Sequence, residues 1–273
     1  MGQILAMNST DTVGVVIPAF NSASTIERAL RSVSEQSVLP NEVVVVDDGS
    51  TDDTVQLIER FIRSTPQVKI RMINLGSNSG PAIARNTGWD ACSTSLIAFL
   101  DSDDSWHPKK LESQLEVIRK HPEHVLFGHR YTVVNSENFN PDSPIGGTGE
   151  LRYFTLRDFL IRNRLSTPTV IVRRSISQRF PLDHWGTEDF ALWTSILARG
   201  NTAVVMDSVL TYLYKATYGQ SGLSARLHEM HQGELRALRF LKQNHAIDRG
   251  SFILANLWMR LKYLRRLIRR AYV

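Results

Sequence analysis

The sequence predicts an α/β protein: a Rossmann-like, mostly parallel sheet flanked by helices, with a C-terminal helical extension. Three observations lead there. Short apolar runs at 13–17, 43–46, 70–73 and 96–100 alternate with stretches of helical periodicity, the spacing of right-handed βαβ crossovers. The clearest runs are continuous rather than alternating, as in strands buried on both faces. Polar clusters follow the ends of three runs, where open α/β sheets hold their ligands.

Taken in order, Val13-Gly14-Val15-Val16-Ile17 ends at Pro18 and makes a first strand. A helix from about Ser24 follows, with Ser24 and Glu27 as a capping box and Ile26, Leu30 and Val33 on one face. The run Val43–Val46 leads into Asp47-Asp48-Gly49-Ser50-Thr51-Asp52-Asp53, and Val55, Ile58 and Ile62 mark a second helix. After a third strand, Gly76, Asn78 and Gly80 form a loop, and Pro81 opens a helix carrying Arg85-Asn86. The fourth strand, Leu96–Leu100, runs into Asp101-Ser102-Asp103-Asp104, and a helix starts near Pro108 with Leu111, Leu115 and Ile118 on one side.

The three carboxylates carry the chemistry. On an extended chain Asp101 and Asp103 point the same way, and crowded carboxylates raise one another's pKa unless a cation holds them. Mg²⁺ is commonly bound by one or two carboxylates plus substrate phosphates, so a metal–diphosphate site is the functional reading. The plainer alternative is an acidic loop at the positive end of the next helix. The first βα turn, Pro18-Ala19-Phe20-Asn21, has no glycine, and no G-x-x-x-x-G-K-[ST] loop occurs anywhere. A nucleotide here is therefore held by carboxylates and metal rather than by a glycine-rich loop.

Four segments together resemble the family 2 glycosyltransferases: Val16 to Asn21, Val45 to Asp52, Asn78-Ser79-Gly80 to Ala84-Arg85-Asn86-Thr87-Gly88, and Leu100 to Asp104. The resemblance implies a GT-A fold, a nucleotide-sugar donor, most often a UDP-sugar, and inversion at the anomeric carbon. It implies that Pro18, Ala19, Phe20, Asn21, Glu27, Asp48, Asn78, Gly80, Arg85, Asp101, Ser102 and Asp103 surround the donor. Asp48 would accept from the base, and Arg85 would lie in the loop-helix closing over the nucleotide. Asp101, Asp103 and Asp104 would hold Mn²⁺ or Mg²⁺.

In the second half, a strand or hairpin is expected from Val125 to Val134, a flexible loop over 140–149, a helix capped by Thr155 and Asp158, and a strand over Thr169–Arg174. Trp185-Gly186-Thr187-Glu188-Asp189 resembles the family's Glu-Asp signature at the start of a helix that ends near Gly200. Inverting transfer needs a base on the acceptor hydroxyl; Asp189 is the expected base and Glu188 its neighbour, both kept ionised by the helix dipole. The stretch Thr211 to Ala225 resembles a segment that closes over the diphosphate, with Lys215 in place of the family's Arg and Thr217 in place of its His. The other histidines show no metal-ligand spacing.

The net charge of +5 is unevenly distributed. Residues 226–273 hold 11 Lys+Arg against 3 Asp+Glu, so the body sums to −3. Leu257, Leu261, Leu264 and Ile268 form one apolar stripe among arginines, which fits an anionic membrane surface better than a nucleic acid. The single Cys92 excludes an internal disulfide, and neither a signal peptide nor a membrane-spanning run is evident. The expected organisation is a catalytic domain over 1–225, with a nucleotide-sugar half at about 11–107 and an acceptor half at about 108–225, then a basic amphipathic tail over 226–273. The expected activity is metal-dependent sugar transfer to a glycan or lipid-linked saccharide, on the cytoplasmic face of a membrane. A sugar-phosphate nucleotidyltransferase and a non-catalytic nucleotide-sugar-binding partner are the alternatives.

Overall fold

A computed structural model describes residues 11–134, 144–183, 186–214 and 227–271. The first half is a run of βα units: β1 (Val13–Ala19), α1 (Ile26–Ser34), β2 (Glu42–Asp47), α2 (Thr54–Ser64), β3 (Ile70–Asn74), α3 (Pro81–Ala91) and β4 (Leu96–Phe99). These four strands are parallel, in the order β3-β2-β1-β4. Their continuous apolar sequence has the expected cause. Val43 and Val45 pack on one face with Ile26, Leu30 and Ile58, while Val44 and Val46 pack on the other with Ala84 and Trp89.

The second half extends the same sheet with mixed pairing. It comprises β5 (Asp104–Trp106), α4 (Lys110–Lys120), β6 (Leu126–Val133), β7 (Leu151–Phe154), α5 (Leu156–Ile161), a 3₁₀ turn (Thr167–Thr169), β8 (Ile171–Arg173), α6 (Glu188–Leu197) and β9 (Ala203–Leu213). The sheet continues β4-β8-β6-β9-β5, with β7 paired to β9. The strands β5, β7 and β9 have no counterpart in the sequence reading. Thr211 and Tyr212, expected in a closing segment, are interior residues of β9, and β8 starts at Ile171 because Thr167–Thr169 turns first. Lys215, Thr217, residues 221–225, Trp185 and positions 140–143 of the expected loop lie outside the described residues.

One capping box forms and one does not. Thr155 and Asp158 cap α5 reciprocally, whereas α1 begins at Ile26 behind Thr25, with no side-chain cap. The carbonyl of Ser22 accepts from Thr25 N and Ile26 N instead, so Ser24 and Glu27 have no box to close. Beyond the sheet, α7 (Leu227–Gln243) and α8 (Arg249–Ala271) share a third apolar cluster with α5 and α6, built on Leu160, Phe190, Leu238, Leu241, Ala255 and Met259.

Candidate active site

Loops at the carboxyl ends of β1 and β2 and the loop before α3 form one connected rim. Asn21 takes a left-handed φ of 47°; its N–H donates to Ser50 Oγ at 2.9 Å and its Oδ1 accepts from Thr51 N at 2.9 Å. The two oxygens of Asp48 accept from Ser79 N at 2.7 Å and Gly80 N at 2.8 Å. That fixes the turn into α3, where Gly80 sits at φ 95°, a conformation that costs glycine little. Gly49 likewise has a positive φ, 75°, and a Cβ there would also lie 2.7 Å from the Ser77 backbone. Pro18, Ala19, Phe20, Asn21, Asp48, Asn78 and Gly80 therefore gather around one mouth, with Phe20 44 % exposed at its edge. Glu27 stands apart: it is half-buried in the first turn of α1, and no hydrogen bond joins it to this rim among the described residues.

Carboxylate oxygens of Asp101, Asp103 and Asp104 all lie within 4.8 Å of one another. The extended-chain argument does not produce this grouping. Asp104 N donates to Asp101 O at 3.1 Å, so a tight turn between β4 and β5 brings the three together. An all-oxygen, multiply anionic set fits a hard divalent cation such as Mg²⁺ or Mn²⁺. The turn is anchored from α1, since Arg28 Nη2 donates to the Asp103 carbonyl at 2.5 Å. The Arg28 guanidinium also stacks 3.7 Å from the centre of the Tyr214 ring, and Tyr214 reaches Ser105 at 3.1 Å. Ser102 Oγ lies 2.8 Å from Ser22 Oγ.

Arg85 is buried and joins the two acidic motifs. Its Nη2 donates to Asp101 at 2.7 Å and its Nη1 to Glu188 at 3.0 Å. Both carboxylates hold it charged against the cost of burial. Next to it, Asn86 pairs with the Phe180 backbone in both directions, at 2.8 and 3.0 Å. Helix α3 thus fastens the segment ahead of α6 to the parallel half of the sheet. Arg85 is the ion between Asp101 and Glu188.

Asp189 departs from expectation in its electrostatics. Burial, and then the neighbouring Glu188 charge, push its carboxyl up to about 7, where the sequence reading expected it to stay ionised. The Phe190 N–H, Arg85 and Asn163 act in the opposite sense; Asn163 Nδ2 donates to Asp189 Oδ2 at 3.0 Å. Sequence reasoning missed Asn163 and Arg28. Neither belongs to a motif, and each acts from an element distant in sequence from its partner. It also missed a group at the end of α4: His121, Glu123 and His124 offer ligand-type atoms within 4.8 Å, with Glu123 facing both rings.

The parallel β3-β2-β1-β4 half and the mixed half that follows it have the GT-A architecture of the glycosyltransferase structures the chain resembles. The chain superposes on a crystal structure of Staphylococcus aureus TarS (residues 1–349) in complex with UDP-GlcNAc with a TM-score of 0.70, at 22 % identity over 90 % of this chain and 70 % of that one. It also matches a Pyrobaculum calidifontis mannosyltransferase in complex with GDP-Man and Mn²⁺, at TM-score 0.66, 20 % identity, 96 % of this chain and 75 % of that one. The family model described as glycosyl transferase family 2 matches residues 14–179. This chain is a glycosyltransferase of family 2. A Bacillus subtilis glycosyltransferase named for teichuronic acid biosynthesis is 32 % identical over 72 % of this chain and 77 % of its own length. An Escherichia coli UDP-Glc:α-D-GlcNAc-diphosphoundecaprenol β-1,3-glucosyltransferase is 30 % identical over 78 % of this chain and 79 % of its own.

Proposed function

We propose that this protein transfers a sugar, with inversion, from a UDP-sugar to a hydroxyl of a lipid-linked saccharide during synthesis of a cell-surface polysaccharide. The observation that carries the reading is Arg85, a single buried cation bridging Asp101 of the acidic turn and Glu188 beside Asp189. That bridge sets donor and acceptor chemistry at a fixed separation, as a single displacement requires. The name of the Escherichia coli relative supplies the donor and acceptor classes, and that of the Bacillus subtilis relative supports a cell-surface polysaccharide.

In this reading the rim from Pro18 to Asn21, with Asp48, Asn78 and Gly80, receives the nucleoside. Asp48 keeps lone pairs for a base N–H beyond its two backbone bonds. Asp101, Asp103 and Asp104 hold Mn²⁺ or Mg²⁺, which when bound offsets charge on the departing diphosphate. Asp189 accepts the acceptor hydroxyl's proton at a carboxylate oxygen; a pKa near 7 suits a general base working near neutral pH. Asn163 orients that carboxylate, and Glu188 holds Arg85.

No helix among the described residues is long and apolar enough to cross a membrane. Residues 1–225 act as the catalytic unit and 226–273 bring it to the cytoplasmic face as a peripheral protein. Thermal-shift titration with nucleotide sugars tests the donor. UDP-sugars should raise the melting temperature most, and more with Mn²⁺ than without, because ligands that bind the native state stabilise it by mass action. A GDP-sugar preference, or stabilisation indifferent to divalent cations, overturns the donor and metal assignments respectively.

A further inference from the structure

We infer that α8 lies in the plane of an anionic bilayer as a rigidly mounted helix, and that it sets the Asn163–Asp189 edge of the active site against the lipid surface. The inference deepens the proposed function and rests on its lipid-linked acceptor.

One face of α8 is spent on the protein. Ala255 and Met259 are buried against α5 and α7. Glu234 of α7, itself buried, accepts from Arg266 at 3.1 Å and pairs with Lys262 at 3.5 Å. The opposite face is uncovered by the described residues. Ile253, Leu254, Leu257, Leu261, Leu264 and Ile268 are between 48 and 70 % exposed, and at helical spacing they fall within an arc of about 100°. Six large aliphatic side chains on one exposed arc are far more than the scattered apolar residues of an ordinary surface. Arg260 and Arg265, both exposed, lie just outside the two edges of that arc. Cations placed there reach headgroups while the apolar residues enter the acyl boundary.

Charge selects the occupant. Helix α8 carries seven Lys+Arg and no acidic residue. A second copy packed through the same face would bring like charges together, whereas anionic lipid complements them. The mounting then gives direction. Trp258 Nε1 donates to the Ile161 carbonyl at 2.7 Å, and Ile161, at the end of α5, is itself exposed. Two residues on, Asn163 holds Asp189. The apolar surface of α8 is therefore continuous, through Trp258 and Ile161, with the turn that positions the proposed base. An acceptor whose lipid remains in the bilayer reaches Asp189 from this side.

The test uses the full chain with vesicles of equal parts phosphatidylglycerol and phosphatidylcholine. Because Cys92 is buried, nitroxide labels can be placed selectively at Leu257→Cys, Ile161→Cys and a control, Glu59→Cys on α2. On vesicle addition the labels at 257 and 161 should move into lipid, as read by oxygen and nickel-chelate accessibility, while the label at 59 stays aqueous. Leu257→Gln with Leu264→Gln should weaken vesicle binding about tenfold or more while leaving the melting temperature and UDP release from donor unchanged. A lipid-exposed 257 with an aqueous 161 overturns the orientation. Vesicle binding unaffected by the double substitution, or a dimer that shields 257 without vesicles, overturns the membrane assignment. Failure of the catalytic reading looks different: vesicle binding and labels as expected, but no UDP release.

Discussion

The raised pKa of Asp189 makes the pH profile of transfer the most informative experiment. With the carboxyl at about 7, its ionised fraction is about one eleventh at pH 6 and ten elevenths at pH 8, so turnover limited by this base should rise about tenfold across that interval. An Asp at its ordinary value would give a flat profile there. Glu188→Gln removes the neighbouring charge that helps raise Asp189 and releases Arg85 to act on it alone, and both changes move the acid limb to lower pH. Asp189→Asn should cost roughly 10²–10⁴-fold in turnover with donor affinity close to wild type. Stability supplies an independent check. A carboxyl whose folded pKa lies above its unfolded value favours folding at low pH, and that contribution is lost as pH rises through about 7. That loss begins near the ordinary value of 3.8, so Asp189→Asn should raise the melting temperature at pH 8 by clearly more than at pH 5. Steady-state kinetics from pH 5.5 to 9 (~0.5-unit steps), with donor titration calorimetry, measure all of this. A profile flat between pH 6 and 8, or a Glu188→Gln limb displaced upward, refutes the assignment.

The other expectations follow from single contacts. Asp103→Asn should abolish Mn²⁺-dependent donor binding without unfolding the protein, read by calorimetry with and without the cation. Arg85→Met leaves the buried Glu188 and the partly buried Asp101 without their shared partner; the cost should be about 3–5 kcal/mol, roughly a 10 °C fall in melting temperature. Asn163→Ala removes a hydrogen bond that favours the ionised Asp189, so the acid limb should move to higher pH at unchanged donor affinity, and an unmoved limb would make Asn163 merely structural.

How much of this was legible in the sequence depended on distance along the chain. The parallel half was readable because each βα unit is local: an apolar strand, a polar turn, an amphipathic helix. Its site loops are equally local, so residues 18–21, 48, 78–80 and 101–104 could be named from motif alone. The mixed second half was not readable in the same way. Strand β9 runs over Ala203–Leu213 but reads as a closing segment, because Thr211 and Tyr212 look polar and face the interior only once β5 and β6 flank them. The bond between Asn163 and Asp189 spans 26 residues and that between Arg85 and Glu188 spans 103; no spacing rule covers either.

The C-terminal helices show how one periodic signal can hold two answers. The sequence posed a choice between a stripe that binds membrane and a stripe that packs on the catalytic domain. Helix α8 has a face for each: Met259 is fully buried while Leu257, two residues away, is mostly exposed. Hydrophobic periodicity could not separate them, because a helix apolar on more than half its circumference contains a packing face and a spare one. The placement of charge differs between the two faces. Lys262 and Arg266 turn inward to the buried Glu234, leaving Arg260 and Arg265 to border the outward stripe. Removing the whole helix would uncover α7 and confuse loss of support with loss of docking, so point substitutions on the outer arc are the discriminating perturbation.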